Sequence, residues 1–344
     1  MGCTRHVRFL GCMLLVAAGM AHGQDAGPSR PDGQMVPSHD VPATAKWLDR
    51  THLWLFDSVW RSARAIDGWF GPPEYPATKY QQATGSVAPA LLWDQYDGFQ
   101  PRFRFNVDLP LPRLNEKFHA FIGRVNRDEY VTEREIASGA FPSQINRVED
   151  DQTLFGIRYR SPEKGAHFQA DAGVRLQFPL DPFVKGSYVF EHGESSRALF
   201  LLRETGFWQN SEGFGVTSRF DVERVIDLRW LVRGSISGTI SQESEGVRGY
   251  TALTVMRGFP NRRAVAAQIF SRGEMDAEVP LEDYGVKLAY RRSVSRDWLI
   301  LELRTSLTWP KEMPAQHRTT NFGVGIGFEA FFGTDEFLAR PVTF

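Results

Sequence analysis

The chain has 344 residues, 42% hydrophobic and 24% charged, with a formal net charge of −1. That length suits one large domain or two ordinary ones, and the near-neutral balance argues against a nucleic-acid partner. Both cysteines, Cys3 and Cys12, fall within the first 23 residues, so the rest of the chain carries no disulfide and no thiolate metal site.

Residues 1–23 read as a secretory signal peptide. Arg5 and Arg8 form the basic end, Phe9 to Ala21 the apolar core, and Gly19-Met20-Ala21-His22-Gly23 suits cleavage before Gln24. That core is too short to cross a bilayer as a helix, and almost no apolar run precedes Cys12 to support lipid attachment. Removing Arg5 and Arg8, with no acid in the stretch, takes the net charge from −1 to −3. No other stretch reaches the roughly 18 uninterrupted apolar residues of a membrane helix. Residues 24–45, rich in Pro, Gly, Ser and Asp, form a flexible linker.

Residues 46–71 have the period of an amphipathic helix. Leu48, His52, Leu55, Val59, Ala63, Ile66 and Phe70 recur at spacings of three and four, and Trp47, Trp54, Trp60 and Trp69 widen the apolar face. Gly68, Gly71, Pro72 and Pro73 stop it. Three placements are open: packed on another domain, lying on the inner leaflet, or tucked into the mouth of the domain that follows.

From about residue 84 the period changes to two. In Ala166 to Phe178, Phe168, Ala170, Ala172, Val174, Leu176 and Phe178 alternate with His167, Gln169, Asp171, Gly173, Arg175 and Gln177. Such a strand separates two unlike solvents. The same alternation recurs in strands predicted at 86–94, 101–109, 117–124, 152–160, 166–178, 182–192, 197–206, 212–223, 227–241, 247–257, 262–272, 283–292, 297–309 and 319–332. Several exceed the nine or so residues that cross a membrane at a tilt. The pattern predicts an all-β fold over 84–332, an antiparallel transmembrane β-barrel of about 14 strands, alternatively 12, because an even count keeps both ends in the periplasm. A large soluble β protein is the competing reading. Pro341 forbids a ladder bond just before Phe344, so the closing strand is expected to end near Phe332, with 333–344 as a tail. The connection 125–151 falls on the extracellular side.

Several short pieces carry a family resemblance. They are Asp67-Gly68-Trp69-Phe70-Gly71, Leu109-Pro110-Leu111-Pro112-Arg113-Leu114, Leu180-Asp181-Pro182-Phe183, Gly213-Phe214-Gly215 and Arg296-Asp297-Trp298-Leu299. In these the chain resembles uncharacterised proteobacterial outer-membrane β-barrel proteins with an N-terminal Trp-rich helix. The resemblance implies location in the bacterial outer membrane and a barrel fold, and implies no activity.

No HExxH, P-loop, dinucleotide fingerprint or GxSxG occurs, and no catalytic, cofactor or metal residues are assigned. Gly323-Val324-Gly325-Ile326-Gly327 alternates like a strand, not a phosphate loop. Of the histidines after the signal, His39, His52, His119, His167, His192 and His317, none stands beside a hydroxyl and an acid in a catalytic pattern. The informative set is the polar face of the strands. His167, Asp171, Arg175, Arg219, Asp221, Arg229, Arg233, Lys287, Glu302, Arg304 and Glu329, with Lys185, Glu223 and Arg272, are predicted to line the lumen. They fit either a network of inner-wall ion pairs or a charge ladder that selects solutes. The functional readings are a passive porin-like pore for small solutes, a structural or interaction barrel, and, behind these, a surface enzyme. Expected partners are outer-membrane lipids and lipopolysaccharide, and the barrel-assembly machinery.

Overall fold

Alternation in sequence becomes a wall with two unlike faces. The computed structural model describes His52 and residues 83–126, 130–133, 151–161, 166–194, 198–227, 229–260 and 262–333. The strands are β1 (Thr84–Asp94), β2 (Gly98–Pro110), β3 (Phe118–Asn126), β4 (Asp151–Arg160), β5 (Ala166–Arg175), β6 (Asp181–Glu194) and β7 (Ala198–Gln209). They continue as β8 (Gly213–Asp227), β9 (Trp230–Ser241), β10 (Arg248–Phe259), β11 (Arg263–Glu274), β12 (Asp283–Val294), β13 (Arg296–Thr308) and β14 (Asn321–Phe332). Each pairs antiparallel with its sequence neighbours, and β1 pairs with β14, closing the sheet into a 14-strand barrel. The seam runs from Gly85 opposite Phe332 to Asp94 opposite Gly323.

Exposure along β8 decides between the two readings of the alternation. Phe214, Val216 and Phe220 are 66%, 55% and 40% exposed, whereas Thr217, Arg219 and Asp221 are 1–3% exposed. A soluble protein would bury the first set and solvate the second. The inversion holds around the barrel, with Ile236, Leu253, Ile269, Leu288, Leu303 and Val324 all exposed outside. Apolar outside, charged inside and without a free edge, this is a membrane-spanning barrel of the bacterial outer membrane. No helix among the described residues is long and apolar enough to cross a membrane; the strands do the crossing.

The longest connections, 127–150, 275–282 and 309–320, share one rim, which is the extracellular side of such barrels, and short turns occupy the other. The first hairpin shows how a tight reversal is specified. The Asp94 carboxylate accepts from the amides of Tyr96 and Asp97 at 2.9 and 3.0 Å, and Gly98 takes the left-handed φ of 69° that follows.

Two expectations need correction. β5 ends at Arg175, not Phe178, because Arg175 is already opposite Asp181 of β6 and residues 176–180 make the reversal. Leu176 and Phe178 therefore stand on the outer rim, the latter 96% exposed. The connection 125–151 is also not wholly an outer loop, since residues 130–133 pack inside the barrel. The signal, the linker and residues 334–344 lie outside the described residues, as does the helix of 46–71 apart from His52. His52 stacks on Trp298 with centroids 4.2 Å apart, and its Nε2 lies 2.9 Å from the Phe331 carbonyl, at the periplasmic ends of β13 and β14.

The two faces predict opposite outcomes for one substitution type. Leu303→Arg, on the lipid face midway along β13, should cost about 2–4 kcal/mol and lower the yield of folded, heat-modifiable barrel. Gln169→Arg, on the lumen face beside Asp171, should fold at near wild-type yield. Equal yields would refute the face assignment.

Candidate functional site in the barrel interior

Inward positions on successive strands bring opposite charges within reach across β2 to β7. Asp108 on β2 stands opposite the imidazole of His119 on β3, Oδ1 to Nδ1 2.5 Å, and accepts from Arg158 Nη1 on β4 at 3.1 Å. Arg158 Nε also donates to Asp171 of β5 at 3.0 Å. Lys185 of β6 lies 3.6 Å from the same carboxylate. Asp171 and Lys185 are 1% and 3% exposed, so each charge is held by its neighbours and not by bulk water.

Onto this wall folds the segment 130–133. The Tyr130 ring packs on Phe121 and, edge-on, on Phe183, with centroids 5.2 and 6.2 Å apart. Its hydroxyl donates to Asp171 at 2.9 Å and accepts from Arg158 Nη2 at 2.5 Å. Lys185 Nζ donates to the Tyr130 carbonyl at 2.6 Å and lies 4.4 Å from the centre of its ring. The Glu133 carboxylate accepts from Lys185 Nζ, Ser187 Oγ, Thr205 Oγ1 and Arg203 Nη1 at 2.7, 2.9, 2.6 and 3.3 Å. Glu133 has a left-handed backbone, φ 56°, which costs a non-glycine residue on the order of 1–2 kcal/mol. Charge-assisted bonds contributing roughly 1.5–3 kcal/mol each offset that cost. Burial alone would raise the Glu133 pKa, but Lys185 and Arg203 overcome it and hold the carboxyl at about 2, against an ordinary 4.5.

The remaining wall is organised the same way. On β8 and β9, Arg219 pairs with Asp221 at 2.8 Å, Ser235 donates to Asp221, and Arg233 pairs with Glu223. On β12 to β14, Arg291 bridges Glu302 and Glu329 at 3.2 and 2.5 Å, and Arg304 completes the group on Glu302. Lys287 sits 4.0 Å from the centre of the Phe270 ring. At the outer end of β5, Arg175 pairs with Asp181 at 3.1 Å. His167 occupies an inward position on β5, half-buried.

Of the predicted lumen residues, Arg229 falls elsewhere. It lies exposed in the turn between β8 and β9, its amide bonded to Asp227 Oδ1 at 2.7 Å, because the ladder shifts register between Val225 and Asp227 and closes with Asp227 opposite Trp230. Asp108, Arg158, Arg203 and Arg291 join the network unannounced; Asp108, Arg158 and Arg291 stand on the polar face of an alternating run, whereas Arg203 shares its face of β7 with Leu199, Leu201 and Phe207. Glu133 had no such signal, since nothing periodic surrounds it.

No protein-family model matches the chain, and no curated protein matches it in sequence. Solved structures of similar shape are outer-membrane barrels. OmpF of Salmonella typhi, in complex with daunomycin, is 6% identical with a TM-score of 0.47, over 73% of this chain and 97% of that one. The outer membrane channel DcaP of Acinetobacter baumannii is 8% identical with a TM-score of 0.46, over 73% and 96%. An anion-selective porin from Comamonas acidovorans is 11% identical with a TM-score of 0.43, over 73% and 98%. The likeness is one of barrel architecture.

Glu133→Gln should release the inner segment by leaving Lys185 buried beside a neutral partner. Amide exchange at 130–133 should rise at least roughly tenfold with the barrel still folded; unchanged protection would refute the anchor. The sign with pH follows from the lowered pKa. Anchoring is complete above pH 4.5 and is lost as pH falls toward 2, so protection corrected for intrinsic exchange should weaken across that window.

Proposed function

We propose that the protein is a porin-like channel of the outer membrane that passes small polar solutes with weak charge preference. The observation that carries this reading is the inner wall. Eight strands leave an interior that side chains fill, and 14 enclose a wider one. Its inward positions carry arginine, lysine, aspartate and glutamate, and beside them Phe121, Leu154, Phe183 and Phe207 form with Val131 a buried apolar cluster at the inner segment. Positive and negative groups compensate one another within a few ångströms, which favours weak selectivity over a strong anion or cation filter.

The passage is narrow. Segment 130–133 occupies part of the lumen, and Asp171, Lys185, Arg219, Asp221, Glu302 and Glu329 are only 1–3% exposed. His52 docks at the periplasmic end of β13 and β14. An enzymatic reading would start from His119 and Asp108, but Arg158 holds the second oxygen of that carboxylate, which makes the pair part of the wall network. In this setting the outer wall meets lipids and lipopolysaccharide, and the chain is a client of the barrel-assembly machinery.

Planar bilayers test the proposal. The protein should give small, stepwise conductances, larger in Glu133→Gln and larger again when residues 24–71 are deleted. If all three forms stay silent while folded, the channel reading fails and a structural or interaction barrel takes its place.

A further inference from the structure

Positive charge on the lipid side of the wall gathers in one place. Three neighbouring strands, β10, β11 and β12, set Arg257, Arg263 and Arg292 outward near their periplasmic ends, and all three are exposed. Alternation fixes the face: Val255 and Phe259 flank Arg257, Val265 follows Arg263, and Leu288 and Tyr290 precede Arg292. Register fixes the spacing. Arg263 stands directly opposite Arg292, and Arg257 is diagonal to Arg263, because Phe259 pairs with Arg263 and Arg257 with Val265. Side chains so placed are within reach of one another, and like charges directly opposite destabilise a sheet.

The surrounding protein does not offset these charges. The outward positions of β10, β11 and β12 carry no aspartate or glutamate. At the adjoining turns the Asp227 carboxylate accepts from the amides of Arg229 and Trp230 at 2.7 and 3.0 Å, and Asp297 pairs with Arg262 at 2.9 Å. Among the described residues none of the three arginines has a carboxylate partner. Arg257 lies 4.9 Å from the ring centres of both Trp230 and Phe259, and Arg263 Nε donates to the Pro260 carbonyl at 3.0 Å. Those contacts orient the guanidinium groups without cancelling their charge. Trp230, Phe259 and Tyr290 belong to the aromatic girdle that marks the depth of lipid headgroups. One row deeper, Val255, Ala267 and Leu288 stand side by side, and the small Ala267 leaves a furrow between the larger two. The patch is local: β14, β1 and β2 have no charged residue at an outward position.

We infer that Arg257, Arg263 and Arg292 bind the headgroup phosphate of an anionic phospholipid in the inner leaflet of the outer membrane. A phosphodiester between these strands supplies the negative charge that they do not carry, and guanidinium groups match its oxygens with paired hydrogen bonds. The acyl chain then runs over Val265 into the furrow at Ala267. Lipopolysaccharide phosphates belong to the outer leaflet, at the other ends of these strands. Free phosphate has no apolar part to use the furrow.

Lipid retention by the folded barrel tests this. The protein is equilibrated with an equal mixture of phosphatidylglycerol and phosphatidylethanolamine, and native mass spectrometry counts the lipids that stay bound. Phosphatidylglycerol should be retained in clear preference. An arginine beside an anionic headgroup contributes about fivefold to binding. Arg292→Gln should therefore lower the preference about fivefold, and Arg263→Gln with Arg292→Gln should lower it further, heat-modifiability being retained. If the double variant fails to fold, the single one carries the test. Arg124→Gln, outward at the extracellular end of β3, should leave the preference unchanged. Equal retention of the two lipids by the unaltered protein, or an unchanged preference in Arg292→Gln, would overturn the inference. So would an equal loss in Arg124→Gln, or displacement of phosphatidylglycerol by inorganic phosphate at the same concentration.

Discussion

The constraint on which the rest depends is closure at β1 and β14. In hydrocarbon no water satisfies an exposed amide or carbonyl, so a sheet with a free edge cannot persist there. Pairing of Gly85 through Asp94 with Phe332 through Gly323 removes the edge, and the chain between becomes one continuous ladder. Everything else is fitted to that wall. The turn at Asp94 to Gly98 is tight because the register of β1 with β2 leaves no slack, and β5 stops at Arg175 because Asp181 must pair with it.

Closure also creates the second solvent. Once the sheet is a tube, its inner face is shielded from lipid and from most of the water, and a lone charge there would be expensive. The interior answers with pairs across strands, Arg158 between Asp108 and Asp171 and Arg291 between Glu302 and Glu329, and with a pair along β8, Arg219 with Asp221. The cross-strand pairs tie strands at a fixed register, and all of them leave little net field. Glu133 draws on the same wall, bringing a segment of the longest connection inside, where Lys185 and Arg203 hold it.

Outside, the demand is the reverse, and most outward positions are branched or aromatic. Among the described residues, Glu204 of β7 and the hollow around the paired Gly186 and Gly206 depart from it.

How much of this the sequence determined by itself follows from the range of the interactions. Period-two alternation is local, so strand number, strand positions and the identity of the lumen face were legible in runs such as Leu299 to Trp309. So was the end of the last strand at Phe332, since Pro341 cannot donate to a ladder. The stop of β5 was not, because Leu176 and Phe178 continue the alternation and only pairing with β6 ends it. Arg229 was misread for the same reason: alternation carries on through a turn that a register shift creates. The inner segment was least legible of all. Glu133 meets Lys185, Ser187, Arg203 and Thr205 more than fifty residues away, and no pattern within 127–150 announces them. Periodicity told which face of each strand is polar; only closure of the tube decided which charges meet across it.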